Sequence, residues 1–177
     1  MTKTRISCGI LTAIALMMTA AGVEAQDSSE RKLGSVTGLP IPRFVSFKAS
    51  EVNSRVGPGQ EYQIAWVFHR AGLPVEVLAE YENWRQVRDS EGGTGWVAAA
   101  LLSARRTAVI APWDKKHTIF QLTSSRGGSS MVAQTEPGAI VDIMNCDGEA
   151  CEIYAGQQKG WVPQKYLWGV YPGETVK

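Results

Sequence analysis

Short apolar runs alternate with polar positions along most of the chain. From about Phe44 onward these runs are rich in Val, Ile, Trp, Tyr and Leu, and Gly, Pro, Asn or Asp interrupts them about every eight to twelve residues. No stretch shows the three- and four-residue apolar spacing of an amphipathic helix of useful length. The pattern therefore predicts an all-β body built from short strands.

The same pattern occurs twice. The aligned positions are Gly72 with Gly138, Val75 with Val141, Val77 with Ile143, Val87 with Ile153, Gly95-Trp96-Val97 with Gly160-Trp161-Val162 after one deletion, and Leu102 with Leu167. We therefore expect two domains, 44–105 and 106–172, and a short tail, 173–177. Residues 26–43 mix Gly and Pro with Ser, Thr and charge, which predicts an extended linker and not a packed element. Because a unit of about 60 residues is marginally stable alone, we expect the two domains to dock.

The first 25 residues have the pattern of a secretory signal peptide. Lys3 and Arg5 precede an uncharged run from Ile6 to Val23, and Val23-Glu24-Ala25 provides small residues for cleavage after Ala25. An uncleaved membrane anchor is the alternative, but the Thr, Ala and Gly content of the run favours cleavage. We therefore predict an exported protein with no stable membrane anchor, in which Cys8 is lost with the signal.

Charge argues against a nucleic-acid partner. The chain has 18 basic and 17 acidic residues. Removal of residues 1–25 takes away Lys3, Arg5 and Glu24, which leaves 16 of each sign and a net charge of zero with the histidines neutral. A nucleic-acid-binding protein is expected to have a basic excess or a basic stripe.

The remaining cysteines, Cys146 and Cys151, admit several interpretations. In an oxidising compartment a structural disulfide is favoured. A redox dithiol is usually C-x-x-C at the start of a helix, and a zinc site needs four ligands, whereas the processed chain adds only His69 and His117. We expect the pair to face each other across a hairpin with the loop Asp147-Gly148-Glu149-Ala150. Strict alternation places the two cysteines on opposite faces, so this pairing requires a β-bulge or another register.

Several motifs resemble those of bacterial Src homology 3 domains. The resemblance rests on "EVNSRVGPG" from Glu51, Asn83-Trp84-x-x-Val87, Gly95-Trp96-Val97 and Leu101-Leu102, with Gly160-Trp161-Val162 and Tyr166-Leu167 in the second unit. The second unit departs from the pattern where "IFQLTSSRGG" replaces the Asn-x-Arg-x-Gly-Pro run. The whole exported chain is similar to a two-repeat periplasmic family of Gram-negative bacteria with a cysteine pair in the second repeat. The resemblance implies two tandem Src-homology-3-like β-barrels.

The motif residues have structural interpretations of their own, and we assign structural roles to Asn53, Arg55, Gly57, Pro58, Gly95, Trp96, Gly160 and Trp161. Pro58 between two glycines predicts a tight turn in which the glycines take positive φ. A phosphate-binding loop is disfavoured, since neither Gly-Lys-Ser nor a helix follows. Gly95 and Gly160 allow a strand to pack closely, and the tryptophans after them are expected to pack in the barrels more than to bind ligand.

The other aromatic residues are the candidate ligand-binding positions. They are Tyr62, Trp66, Tyr81, Trp84, Tyr154 and Trp168. Grooves lined by aromatic residues bind extended peptides at low entropic cost. Packing in the core or between the repeats is the alternative for Trp66 and Trp84.

These features favour a non-catalytic module that binds a cell-wall peptide or an extended segment of an envelope protein. The predicted site lies between the loop after the first strand and the hairpin with Tyr81 and Trp84. No acid, base and nucleophile set is assembled by spacing, so we expect no catalysis, cofactor or metal. The alternative is a structural or inhibitory partner of a periplasmic protein that uses surface residues such as Arg85 and Arg88. An enzyme is the least favoured class.

Overall fold

The computed structural model describes residues 32–116 and 118–177. The predicted signal peptide, residues 26–31 of the linker and His117 lie outside the described residues. The fold is nearly all β, with two sheets that each curl like half a barrel, which confirms the predicted fold class. Within the described residues, no helix is long and apolar enough to cross a bilayer.

Repeat 1 comprises seven strands and one short 3₁₀ turn. Its elements are β1 Arg43–Phe47, β2 Val52–Arg55, β3 Ile64–Phe68, β4 Pro74–Tyr81, β5 Trp84–Arg88, β6 Thr94–Ala98, the turn Ala99–Leu101 and β7 Leu102–Ser103. Repeat 2 has the same elements followed by one more strand. They are β8 Thr107–Ile110, β9 Phe120–Thr123, β10 Met131–Thr135, β11 Ile140–Asp147, β12 Ala150–Ala155, β13 Gln158–Pro163, the turn Gln164–Tyr166, β14 Leu167–Trp168 and β15 Thr175–Val176.

The two sheets share one strand order. It is β3-β2-β6-β5-β4-β1-β7 in repeat 1 and β10-β9-β13-β12-β11-β8-β14 in repeat 2, with β15 added beside β11. Every neighbouring pair is antiparallel. The order is therefore the structural counterpart of the sequence repeat.

Each repeat has its own hydrophobic core. The aligned positions Val75 and Val141, Val77 and Ile143, and Val87 and Ile153 are buried in the respective cores, as the alignment predicts. Gly72 and Gly138 precede β4 and β11 with φ of 75° and 81°, a conformation that glycine adopts without strain. The repeated residues thus have the same structural roles.

The aligned glycines of β6 and β13 permit close contact with the neighbouring strand, as predicted. A Cβ on Gly160 would lie 2.8 Å from the Leu122 Cβ of β9, and one on Gly95 would overlap the Ser54 side chain of β2. The next residues, Trp96 and Trp161, are only half-buried. Because side chains alternate along a strand, Val97 and Val162 fill the cores in place of the tryptophans.

Cys146 and Cys151 form the predicted disulfide. They are directly paired in β11 and β12, with Cα atoms 4.1 Å apart, and both are buried. The register shifts between Ile143 and Asn145, so the β-bulge that the alternation required is present. The bulge moves Cys146 to the core side, which allows both cysteines to face inward.

The lead-in before β1 is more ordered than its composition predicts. Leu33 pairs with Pro40, and the Ile41 side chain is buried in the core of repeat 1. The backbone N–H groups of Val36 and Thr37 donate to the Glu80 carboxylate at 2.9 and 2.8 Å. The expectation of an unpacked linker is therefore wrong for this part of residues 26–43, because a carboxylate from a distant strand satisfies its backbone donors.

The tail after β14 also packs. β15 pairs with β11 at Cys146 and Asp147, and the Glu174 carboxylate accepts hydrogen bonds from Arg106 at 2.8 and 3.1 Å. The tail predicted as residues 173–177 thus extends the sheet of repeat 2. The arginine that holds it immediately precedes β8, the first strand of that repeat.

Aromatic and polar contacts join the two repeats. Phe44 of β1 packs edge-on against Trp168 of β14, with ring centroids 5.2 Å apart, and lies 4.8 Å from the Tyr171 ring. The Tyr171 hydroxyl donates to the buried Glu76 carboxylate of β4 at 2.7 Å, and Arg88 Nε donates to the same carboxylate at 2.9 Å. The docking that domain size suggested is therefore present.

Candidate functional site

A groove in repeat 1 lies between the loop after β2 and the β4–β5 turn. It has a volume of about 470 Å³. Its walls are the loop residues 58–61 and the turn residues 81–84, and Ala98 of β6 lies beside them. We call this concavity the first groove. Its volume falls in the usual range for ligand pockets.

The β2–β3 loop is held at its base and across its middle. Val56 N–H donates to the Gln63 carbonyl at 3.0 Å, and the Arg55 guanidinium donates to the Tyr62 carbonyl at 2.6 Å. The prediction that Gly57 and Gly59 take positive φ is wrong, since neither is among the described glycines with positive φ. Gly57 instead makes room for a neighbouring side chain. A Cβ on Gly57 would overlap the Tyr62 ring. Tyr62 therefore packs against the loop backbone, and Arg55 and Gly57 maintain the loop shape.

The β4–β5 turn supplies the opposite wall. Tyr81 pairs with Trp84, and the Arg85 guanidinium donates to the Glu82 and Trp84 carbonyls at 2.9 and 2.7 Å. Glu82 has φ of 44°, which is uncommon for a residue with a side chain. The corresponding residue in repeat 2 is Gly148, with φ of 100°. The turn of repeat 1 thus places a carboxylate where glycine is the less strained choice.

The walls of the first groove combine aromatic, amide and acidic groups. Tyr81 is exposed and Trp84 is half-buried, while Glu61 and Glu82 are exposed. Neither carboxylate forms an ion pair within residues 32–116 and 118–177. The groove can therefore place an apolar or planar group on the rings and a cationic group near the acids.

A third carboxylate near this turn is structural. Glu80 is buried, and its oxygens accept hydrogen bonds from the lead-in and from Arg43 at 2.7 Å. Burial opposes ionisation, but the hydrogen bonds from Thr37, Arg43 and Val36 prevail and lower the pKa of Glu80 to about 2. Glu80 is thus an ionised anchor for the lead-in.

The six predicted ligand-binding residues do not form one site. Tyr81 and Trp84 line the first groove, and Tyr62 supports its loop. Trp66 is 64% exposed on the edge strand β3, outside the groove lining. Tyr154 is half-buried on β12 of repeat 2, and Trp168 packs in the contact between the repeats. The remaining motif residue, Asn53, lies on β2 opposite Val67.

Sequence reasoning missed a second concavity, in repeat 2. Its volume is about 460 Å³, and its lining includes Trp113, Lys115, Lys116 and Tyr166. We call it the second groove. Trp113 has no counterpart in the repeat alignment, and its position beside Asp114-Lys115-Lys116 was the signal that could have identified it.

The described residues contain no group of three His, Cys, Asp or Glu side chains placed to hold a metal ion. Arg85 and Arg88, which the sequence suggested as surface residues, are committed to internal carboxylates. Arg85 is buried beside Glu80, and Arg88 bonds to Glu76. Arg85 is therefore not the surface residue that its sequence context suggested, whereas the Arg88 side chain is 43% exposed.

The similarity of this chain to solved structures is low. No curated protein matches the chain. The chain is similar to two solved structures, NlpC1 and NlpC2 from Trichomonas vaginalis, with 15% and 14% identity and TM-scores of 0.33 and 0.32. The matches cover 76% and 72% of this chain but 48% of each of those chains, so this chain spans about half their length.

A family model described as "Bacterial SH3 domain" matches residues 48–104 and 125–169, which is more than half of the chain. The first match spans β2 to β7, and the second begins after β9, in agreement with the divergent first half of repeat 2. Two matches to one family, in two sheets of the same strand order, show that the chain belongs to the bacterial SH3 domain family.

Proposed function

We propose that the chain is a non-catalytic periplasmic module that binds a cell-wall peptide in the first groove. The observation that carries this proposal is the arrangement of Tyr81 and Trp84 beside the open carboxylates of Glu61 and Glu82. Bacterial SH3 domains are generally binding modules and often bind cell wall. The chemistry of this groove extends that general role to a specific surface.

A short peptide suits the groove better than a compact ligand. The Trp84 ring is half-buried, so it loses little conformational entropy when a ligand covers it. The carboxylates can pair with a free amino group, and the side-chain amides of Gln60 and Asn83, which also line the groove, can hydrogen-bond a peptide backbone. Cell-wall peptides offer amino groups and backbone amides together.

Two features support the proposed location. Residues 1–25 have the pattern of a cleaved signal. The disulfide joins the two cysteines that remain after cleavage, and such bonds persist in oxidising compartments. A disulfide between Cys146 and Cys151 leaves neither sulfur available as a nucleophile, which is consistent with binding without catalysis.

Co-sedimentation with washed peptidoglycan tests the proposal. Residues 26–177, purified with the disulfide formed, should pellet with peptidoglycan, and Trp84→Ala should reduce the pelleted fraction severalfold. Trp66→Ala is the matched control, since Trp66 is also exposed but lies outside the groove. Equal pelleting of Trp84→Ala and the wild type, or no pelleting of either, would remove the cell-wall assignment.

A second candidate function is protein binding along β3. This strand is an edge of its sheet, and its Ile64 and Trp66 side chains are 47% and 64% exposed. An exposed apolar edge strand can accept another strand from a partner. In a pull-down from envelope extract, this function predicts that Trp66→Ala loses a partner that Trp84→Ala retains.

A further inference from the structure

The second groove has a different origin from the first. In repeat 1, four residues separate β1 from β2, whereas in repeat 2 nine residues separate β8 from β9. The longer connection carries Trp113, which is 53% exposed, and two adjacent lysines. Repeat 2 therefore has a surface that its counterpart lacks.

The floor of the second groove is a packed aromatic pair. The ring centroids of Phe120 and Tyr166 lie 4.9 Å apart, and Phe120 is buried. Both residues belong to regular elements of the barrel, β9 and the turn Gln164–Tyr166. The exposed Trp113 ring thus adjoins a fixed apolar surface, which is the arrangement of a pocket that accepts an apolar side chain.

The groove has an excess of positive charge. Lys115 and Lys116 line it and are exposed, and the Lys165 ammonium lies 5.0 Å from the centre of the Tyr166 ring. None of these three lysines forms an ion pair with a described residue. Because lysine side chains beside apolar surface keep their charge in water, they are available to an incoming anion.

Asp114 also lines the groove, and its negative charge offsets part of the positive charge of the lysines. Its carboxylate accepts backbone hydrogen bonds from Lys116 at 2.7 Å and Thr118 at 3.3 Å. The carboxylate therefore bonds to backbone donors of its own loop. With three lysines and one carboxylate, the second groove has a net charge opposite in sign to that of the first groove, where the charged lining residues are Glu61 and Glu82.

We propose that the second groove binds an acidic peptide segment of a partner protein, with an apolar side chain against Trp113 and Tyr166 and flanking carboxylates on Lys115 and Lys116. A concave site with a fixed apolar floor can enclose the side chain of a peptide. An anionic membrane surface is flat and is contacted better by a protruding loop. This site is independent of the first groove. It gives the chain a second partner of different charge.

The test titrates residues 26–177 with a blocked hexapeptide of alternating glutamate and phenylalanine and follows tryptophan fluorescence. Matched peptides replace each glutamate with glutamine or lysine. The acidic peptide should bind at least about tenfold more tightly than either, and the paired substitution Lys115→Glu and Lys116→Glu should weaken it at least about tenfold. Trp113→Ala should also weaken binding, while Lys48→Glu, in the corresponding connection of repeat 1, should leave it unchanged.

Three results would overturn the proposal: no binding of the acidic peptide, equal binding of the lysine peptide, or no effect of the paired charge reversal. Phosphatidylglycerol vesicles form a separate arm, and binding to vesicles but not to the peptide would assign the groove to a membrane instead. Trp84→Ala should bind the acidic peptide like the wild type, so failure of the first groove and failure of the second are distinguishable.

Discussion

Glu80 and Arg85 face each other across β4 and β5 at the positions that Cys146 and Cys151 occupy across β11 and β12. The Arg85 Nε and Glu80 Oε1 atoms are 3.6 Å apart, and both side chains are buried. Each repeat therefore joins its central hairpin at the same point, one by an ion pair and the other by a covalent bond. Both hairpins have a bulge just before this point, between Val77 and Ala79 and between Ile143 and Asn145.

Glu80→Ala should lower the free energy of unfolding by about 3 kcal/mol or more, because it leaves Arg85 buried without its partner and frees the lead-in. Urea unfolding of the oxidised chain measures this. Glu149→Ala is the control, since it removes an exposed ion pair with Arg126 and should cost no more than about 1 kcal/mol. Equal effects of the two substitutions would contradict the anchoring role of Glu80.

Stability should depend on Glu80 in acid. The pKa of Glu80 is about 2 in the folded chain and 4.5 ordinarily. Because the folded value is the lower one, its stabilisation is fully present above pH 4.5 and is lost as the pH falls towards 2. The difference in unfolding free energy between the wild type and Glu80→Gln should therefore shrink across this interval. A difference that is constant with pH would show that the carboxylate charge contributes nothing.

Replacement of both Cys146 and Cys151 by alanine should cost about 2 kcal/mol, the chain-entropy value for so short a loop. Wild type unfolded under reducing conditions should have the same stability as this double variant. Titration of the oxidised residues 26–177 with a thiol reagent should find no free thiol. Detection of free thiols would contradict the structural disulfide and favour a reactive role for Cys146 and Cys151.

Tyr171 should ionise at a higher pH than an exposed tyrosine. Burial and the nearby Glu76 carboxylate raise the pKa of Tyr171 well above its ordinary value. Its hydrogen bond therefore stabilises the docked repeats below about pH 10 and loses this effect as the pH rises through the folded pKa. In an absorbance titration, Tyr171→Phe should leave the signal below alkaline unfolding unchanged. A reduced signal for Tyr171→Phe would contradict this contact.

Local patterns in the sequence predicted much of the fold. The repeat alignment identified Val75 and Val141 as equivalent core positions, and the conflict in strand faces at Cys146 called for the bulge that the structure contains. Both inferences depend on residues close together in the chain, where side-chain alternation gives a definite expectation.

Contacts between distant segments were not predictable in this way. The lead-in docks on Glu80 from more than 40 positions away, and Trp168 packs against Phe44 of the other repeat. The alternation of apolar and polar residues indicates neither the contact of the lead-in with Glu80 nor that of Trp168 with Phe44. At the candidate site the sequence identified Tyr81 and Trp84, but it did not identify Glu82, which contributes to the acidic wall. Glu82 adopts a positive φ, and the equivalent position in repeat 2 is a glycine, Gly148.

The most direct test of the central claim is a nuclear magnetic resonance titration of ¹⁵N-labelled residues 26–177 with soluble cell-wall peptides. We predict that the shifting amides cluster in the loop at Gly59–Glu61 and the turn at Tyr81–Trp84, and that Trp84→Ala reduces these shifts severalfold at the same peptide concentration. Shifts confined to β3 or to repeat 2, or no saturable shifts at all, would contradict the assignment of the first groove as the cell-wall peptide site.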